Sequence, residues 1–309
     1  MNVFKVHFIL LMSFISCRNN HVHSVQTKQT EDIGNNHFSK EVNYIPYYNE
    51  IYKADSLYIT KNYKETYEIL DRLLKTYKPV DGWFVNVSRN YLISKSKAST
   101  IEREDVENYL REKAYDVNAV LKDKSIAELL EKLNISKDDV EKIVKENVSK
   151  INLPLRSELN KMNIDDQDVR NRLNTEDSIK KVDRRHSERL KEIIKIYGFP
   201  NKNLIGGYMV QGKSADVSLS VIFNHLSYNG DYEYFKRTLP NLVKNGTCDP
   251  FNYAMMEDRK NEINNKPIDY HVIIAIDENV DKKKINTNRR AIGLPSLEYQ
   301  EFKKKLMSN

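Results

Sequence analysis

Four polar residues with acid–base side chains fall on helix faces that should be buried. Asp166 stands in a series of apolar residues at alternating spacings of four and three, the pattern of one helical face. His186 and His225 fall on the apolar stripes of two later predicted helices, and Asp258 shares a face with Met255. An unpaired buried carboxylate costs several kcal/mol. We therefore expect these side chains to be paired, protonated or at a cleft.

Such residues could form a catalytic site. A histidine paired with a carboxylate can serve as general base, and an arginine can stabilise a developing anion or hold an anionic substrate. His225 is the candidate base or acid, with Asp258 or Asp166 to orient it and Arg259 as anion stabiliser. Neighbouring charged residues complete the candidate set: Arg170, Asp183 and His186. Besides Arg170, one turn from Asp166, two arginines could pair with that carboxylate from elsewhere in the chain: Arg259 and Arg289.

Two other interpretations of these residues stay open. Two Asp and two His side chains would suffice to ligate a metal, but none has close ligand spacing such as His-x-x-x-His, so no metal or cofactor is predicted. A structural network of buried Asp–Arg and His–carbonyl bonds would fix the register of the helices without any chemistry. The chain has no nucleophile elbow, phosphate-binding loop or paired-cysteine motif.

A mainly helical domain over 151–309 must position these residues. Pro154 suits the first turn of a helix after the break at Asn152, which marks the boundary with the preceding domain. Apolar spacing predicts helices over 155–173, over 179–197 with Gly198 and Pro200 at its end, over 215–226, from Gly230-Asp231 with a bend at Pro240, and from Asp249-Pro250. The β-branched stretch from Tyr270 to Ile276, with a turn at Lys282-Lys283-Lys284, predicts a small hairpin.

The domain before it, over 44–150, is predicted to be a tetratricopeptide-like helical repeat. One repeat unit is indicated by the slots of Ala54, Leu57, Tyr63, Leu70, Leu73 and Pro79. A second, divergent unit is indicated by Trp83, Val87, Tyr91 and Ala98 on one helix and by Val106, Leu110 and Ala114 on the next. Two units need capping by further helices. The segment 125–133 and a helix capped by Ser136 and Asp139 could supply it.

A set of residues spread over the C-terminal domain matches a known pattern. They are Asp166-Gln167 with Arg170, Asp183, Leu190, Ile193, Ile194, Gly198-Phe199-Pro200, Gly206, His225, Tyr253-Ala254, Asp258-Arg259, Arg289-Arg290, Gly293-Leu294-Pro295 and Tyr299. On these residues the region from Leu155 to Met307 resembles a bacterial family known only as the domain of unknown function family 6624, which implies no activity. The chain departs from the pattern at Asn224, where the family has Gln, and over Ile268–Ile273, where only Tyr270 is kept.

Residues 1–17, MNVFKVHFILLMSFISC, have the layout of an export signal. Lys5 gives a positive start, and an apolar run of about ten residues follows, too short to span a bilayer as a helix. The run ends in Phe14-Ile15-Ser16-Cys17, which resembles a bacterial lipobox with Phe14 in place of the usual Leu. We predict a signal peptide over 1–16 and lipid, including palmitate, on Cys17. An ordinary secretory signal is the alternative.

Composition agrees with an exported, soluble domain on a lipid anchor. The 309 residues are 39% hydrophobic and 30% charged, and the polar stretch over 17–43 reads as a disordered tether. If Cys17 carries lipid, Cys248 has no intramolecular partner. The net charge of +6 is spread along the chain, and nucleic-acid binding would conflict with export. No acidic run follows Cys17, which favours the periplasmic face of the outer membrane over the cell surface.

The sequence therefore predicts a lipid-anchored protein of the cell envelope that binds a protein or peptide partner in the concave face of its helical repeats. The alternative is an envelope hydrolase that uses the His, Asp and Arg residues of the C-terminal domain. A third class, an immunity-type partner of a secreted toxin, has no support from individual residues.

Overall fold

The computed structural model describes residues 42–82, 85–171, 175–228, 231–276 and 279–307. These residues form fifteen helices and one two-stranded sheet, which confirms the predicted mainly α fold. Within them, no helix is long and apolar enough to cross a membrane. The predicted signal peptide, Cys17, the tether up to residue 41, Trp83, Leu173 and Gly230 lie outside the described residues.

The first four helices fall where the apolar spacing predicts them. They are α1 (Ile45–Ile59), α2 (Tyr63–Leu74), α3 (Val87–Ala98) and α4 (Arg103–Lys113). Ala54 is buried as expected for a small residue between paired helices. Pro79 does not end the second helix, since α2 already stops at Leu74. Whether these helices are tetratricopeptide-like repeats stays a prediction.

Three further helices enclose a separate core. They are α5 (Val117–Lys122), α6 (Lys124–Lys132) and α7 (Lys137–Lys150). Ser136 and Asp139 form the predicted reciprocal capping box at the start of α7, with each side chain accepting from the other residue's backbone N–H. The apolar residues of this core come from 92–151, with Val210 as one addition from later in the chain.

The remaining elements carry the candidate site. They are α8 (Leu153–Asn171), α9 (Glu176–Tyr197), α10 (Lys202–Ile205), β1 (Met209–Val210), β2 (Lys213–Ser214), α11 (Ser220–Leu226), α12 (Tyr232–Lys244), α13 (Pro250–Ile263), α14 (Lys282–Ala291) and α15 (Leu297–Met307). The strands pair antiparallel, Met209 with Ser214 and Val210 with Lys213. Gly198 ends α9 with a φ of 77°, which only glycine adopts without cost.

Two local predictions in this half are wrong. The stretch from Tyr270 to Ile276 forms no strand, because the backbone N–H groups of Tyr270 and Val272 donate to Asp258 and His271 has a φ of 51°. The Lys282-Lys283-Lys284 run starts α14 instead of a turn, since Asp281 accepts from the Lys284 N–H and caps that helix.

Helix α11 is also shorter than predicted, and the stripe of α9 is less deeply buried. Residues 215–219 stay outside α11 because the Asp216 carboxylate accepts from the Ser218 N–H, a local bond that competes with helix formation. Tyr197, placed by its spacing on the inner stripe of α9, is 45% exposed.

The main core draws residues from both sides of residue 151. It packs Tyr47, Ile51 and Leu70 with apolar residues such as Leu159 and Phe235. At its edge the buried carboxylate of Asp55 accepts from the Asn90 amide, the Tyr299 hydroxyl and Lys303. Helix α1 is thus tied to the C-terminal helix. The division into two domains at residue 151 stays a prediction.

Candidate functional site

The carboxylate of Asp166 is the centre of the candidate site. The residue lies on the inner face of α8 and is 1% exposed. Its Oδ1 accepts from Arg170 Nη1 and from His225 Nδ1, both at 2.9 Å, and its Oδ2 accepts from Gln167 Nε2 at 2.7 Å. Burial alone would raise the pKa of Asp166. The hydrogen bond from His225 and the electrostatic interactions with His225 and Arg170 outweigh it and hold that pKa below its ordinary value.

Arg170 links Asp166 to a second buried carboxylate. Its Nη2 donates to Asp183 Oδ1 on α9 at 2.6 Å, while its Nη1 bonds Asp166 one turn earlier on α8. The guanidinium side chain is 20% exposed, whereas the carboxylates are almost fully buried. The pairing of Asp166 with Arg170 is the one the helical spacing predicts. The guanidinium therefore pairs with both carboxylates at once.

His225 is a partly exposed member of this cluster. It lies in the last turn of α11, and its side chain is 16% exposed rather than buried as the apolar spacing predicts. An ionised carboxylate only accepts hydrogen bonds, so Nδ1 must carry the proton that points to Asp166. A neutral imidazole then keeps its lone pair on Nε2, for which the described residues provide no donor. This is the arrangement of a histidine that can accept a proton.

Arg259 and Asn224 form a contact beside this histidine. Arg259 Nε donates to Asn224 Oδ1 at 2.9 Å, and Asn224 directly precedes His225. The same guanidinium pairs with Glu262 one turn along α13. Arg259 thus bonds the neighbour of His225 and does not bond Asp166 among the described residues.

Asp258 forms its hydrogen bonds with residues outside this cluster. It is fully buried and accepts the backbone N–H groups of Tyr270 at 2.8 Å and Val272 at 2.9 Å. Burial raises its pKa to about 6 even though both bonds act in the opposite direction. Of the two carboxylates predicted to orient His225, Asp166 is the one that bonds it. Asp258 instead fixes the loop after α13.

Arg289 belongs to the same loop structure. This fully buried arginine donates to the carbonyl oxygens of Pro295 and Tyr270 and to the Gln300 side chain. Arg289 therefore does not reach Asp166. It was one of the two arginines that the sequence suggested as distant partners of that carboxylate.

His186 is inward-pointing, as its place on α9 predicts, and it is 2% exposed. Neither ring nitrogen has a hydrogen-bond partner among the described residues. Burial, and next the charge of Arg185, lower the pKa of this histidine, so the neutral ring is favoured. His186 is adjacent to the cluster through Asp183, one turn before it, but contributes no bond to it.

Three side chains of the cluster also have the composition of a metal site. One oxygen each of Asp166 and Asp183 and one ring nitrogen of His225 lie within 4.8 Å of one another. In this structure the Arg170 guanidinium bonds both carboxylates. A divalent ion would therefore have to share each carboxylate with that cation. The geometry therefore fits an Asp–Arg–Asp bridge with a histidine at its rim.

Comparisons with family models, with curated proteins and with solved structures found no match to this chain. The resemblance to family 6624 thus stays a prediction.

Proposed function

We propose that the C-terminal half of this chain is an acid–base catalyst of hydrolase type, with His225 as the general base. The observation that carries the proposal is the 2.9 Å bond between His225 Nδ1 and Asp166 Oδ1. It fixes the ring and its tautomer and leaves the Nε2 lone pair without a donor among the described residues, in a side chain that is partly exposed. Asp258, Asp183 and His186, also candidates from the sequence, are given no role at the reacting nitrogen in this proposal.

The chemistry follows from the charges around the ring. Nε2 takes a proton from a water molecule as the water oxygen bonds to an electrophilic carbonyl or phosphoryl centre. The ionised carboxylate of Asp166 stabilises the imidazolium that forms, and the proton then passes from Nε2 to the leaving group as its bond breaks. Arg170 is a positioning residue, because its Nη1 bonds Asp166 while its Nη2 bond to Asp183 holds the guanidinium in place.

The predicted interaction role of the helical repeats has less support. The described residues of α1–α4 expose no large apolar side chain that a partner would bury. Part of the surface of α1 is already covered, since Tyr48 bonds the Cys248 carbonyl and Asn49 bonds the Arg290 carbonyl. A peptide docked on this part of α1 would have to displace these intramolecular contacts.

The proposal includes a location in the cell envelope, supported by the signal-like segment that ends at Cys17. Labelled palmitate should enter the full chain in a bacterial host and should be absent from Cys17→Ser. Equal labelling of both chains would contradict the anchor and leave the acid–base proposal standing.

Hydrolysis of 4-nitrophenyl acetate and of 4-nitrophenyl phosphate tests the acid–base proposal. We expect the purified protein to hydrolyse at least one of them, and His225→Gln to slow that reaction by about 100-fold, the contribution typical of a general base. His37→Gln, in the predicted tether, is the matched control and should leave the rate unchanged. Equal rates for wild type and His225→Gln, or no turnover of either ester, would overturn the proposal.

A further inference from the structure

A cavity of about 550 Å³ lies away from His225, where the first helices meet the C-terminal half. Its walls come from 79–82, from Lys113 at the end of α4, and from the segments 199–208, 215–220 and 246–252. The volume is typical of a site for a small organic ligand. Phe199, Val217 and Leu219 give it an apolar side, and several charged residues line the rest.

One wall of the cavity is held in place by Arg156. Its guanidinium is buried and donates to the backbone carbonyl oxygens of Ile205, Gly207 and Tyr208. Three hydrogen bonds from one rigid guanidinium fix the chain segment that follows α10. The cavity is therefore formed before any ligand arrives.

On the lysine side of the cavity, two ammonium groups share one carboxylate. Lys113 and Lys202 both bond the same atom, Asp81 Oδ2, at 3.3 and 3.1 Å. One carboxylate can balance only one of the two ammonium groups. Lys202 is the one free to turn toward a ligand, since its side chain is 64% exposed whereas that of Lys113 is 17% exposed.

The negative side is Asp249, whose carboxylate has no cationic partner among the described residues. Its Oδ1 accepts from the Phe251 N–H at 2.8 Å and caps α13. Burial raises the pKa of Asp249 to about 6, against the smaller opposing effects of that bond and of the charge on Lys202. An asparagine would cap the helix equally well without a charge to bury. A carboxylate retained at such a cost inside a cavity is typical of a ligand-binding position.

We propose that this cavity binds a zwitterionic amino acid or short peptide, with the ligand ammonium at Asp249, its carboxylate at Lys202 and its side chain against Phe199 and Leu219. Charge complementarity selects this class. A simple anion would face Asp81 and Asp249, and a simple cation would face the two lysines. A ligand with both charges meets the unpaired carboxylate and the excess ammonium together. The inference does not depend on the acid–base role of His225.

Calorimetric titration with the dipeptide leucyl-phenylalanine tests the inference. The full chain with His225→Gln is used, so that hydrolysis of the probe cannot intervene and failure of either proposal can be told apart. We expect saturable binding with one site per chain. Acetylation of the dipeptide N-terminus, or amidation of its C-terminus, should each weaken binding at least tenfold.

Two variants test which residue binds each charged end of the dipeptide. Asp249→Asn keeps the helix cap and should weaken binding of the free dipeptide at least tenfold while leaving binding of the acetylated one unchanged. Lys202→Gln should weaken binding of the free dipeptide at least tenfold while leaving binding of the amidated one unchanged. Asp281→Asn, a cap of α14 that does not line the cavity, is the control and should bind as the parent His225→Gln chain does. No saturable binding at millimolar dipeptide, or equal binding with and without Asp249→Asn in that chain, would overturn the inference.

Discussion

His225 Nδ1 lies 2.9 Å from Asp166 Oδ1, although the two residues are 59 positions apart in the chain. The bond joins α11 to α8, and Arg170 joins α8 to α9 through Asp183. The bonds that would orient a catalytic histidine therefore also fix three helices against one another. Stability and chemistry at this site should be separable by variants that change one bond at a time.

Arg170→Gln removes a cation that bonds both buried carboxylates, Asp166 and Asp183. We expect the free energy of unfolding at pH 7 to fall by about 3–5 kcal/mol, because breaking a buried ion pair by removing its cation is strongly destabilising. Urea denaturation measures the loss. Arg185→Gln is the matched control, since its partner Asp165 and its own side chain are solvent-accessible, and it should cost under about 1 kcal/mol.

The pH dependence of that loss follows from the lowered pKa of Asp166. A carboxylate with a depressed pKa stabilises the fold above its unfolded value of 3.8 and loses this contribution as the pH falls through the folded value. The cost of Arg170→Gln should therefore shrink below about pH 4. A cost that stays constant from pH 7 to pH 3 would show that the ion pair is not its origin.

His186→Leu should stabilise the protein. Two buried ring nitrogens without partners cost about 1–3 kcal/mol, and leucine suits the inner stripe of α9. The lowered pKa of His186 means that wild type loses stability as the pH falls below 6.5, and the variant should not. Thermal unfolding at pH 8 and pH 5.5 tests both effects. A destabilised variant would indicate that His186 has a partner in solution.

Asp249→Asn should also stabilise the protein, but only at a pH above the folded-state pKa of the Asp249 carboxyl group. The folded pKa of about 6 exceeds the unfolded 3.8, so wild type is favoured at low pH and loses stability as the pH rises through 6. Two pKa units correspond to about 3 kcal/mol, which sets the upper limit of the gain at pH 8. Urea denaturation of both chains at pH 4 and pH 8 measures it. A gain that is equal at both values would contradict the raised pKa.

Tyr299→Phe tests the tie between the first and the last helix. The Tyr299 hydroxyl donates to Asp55 Oδ2 at 2.7 Å, and the ring packs against Tyr52 and would stay there. Loss of a hydrogen bond to a buried carboxylate should cost about 1.5–3 kcal/mol in one unfolding transition. Tyr208→Phe, at an exposed tyrosine, should cost nothing measurable. Two separate transitions would indicate that the halves unfold independently.

Some of the site could be predicted from the sequence because its members share a helix. Apolar spacing puts Asp166 on an inner face, and Arg170 follows one turn later, so their pairing is a local property. The partnership of Asp166 with His225 depends on how α8 and α11 pack, which periodicity does not encode. Gln167, next to Asp166 in the matched pattern, was not predicted to bond it.

The wrong predictions have the same origin. The β-branched stretch after Tyr270 has strand propensity, but Asp258 takes up its backbone donors and overrides that preference. The charged cavity was also not predicted, because Asp81, Lys202 and Asp249 come from three distant segments. In the sequence they read only as a loop residue, a surface lysine and a helix cap.

The nitrogen chemical shifts of the His225 ring are the sharpest test of the pair that His225 forms with Asp166, because they report which nitrogen carries the proton without requiring a substrate. At pH 8 we expect a protonated Nδ1 and a bare Nε2, with this preference lost in Asp166→Leu. A proton on Nε2 in the wild-type protein, or a ring that is indifferent to the loss of Asp166, would contradict it.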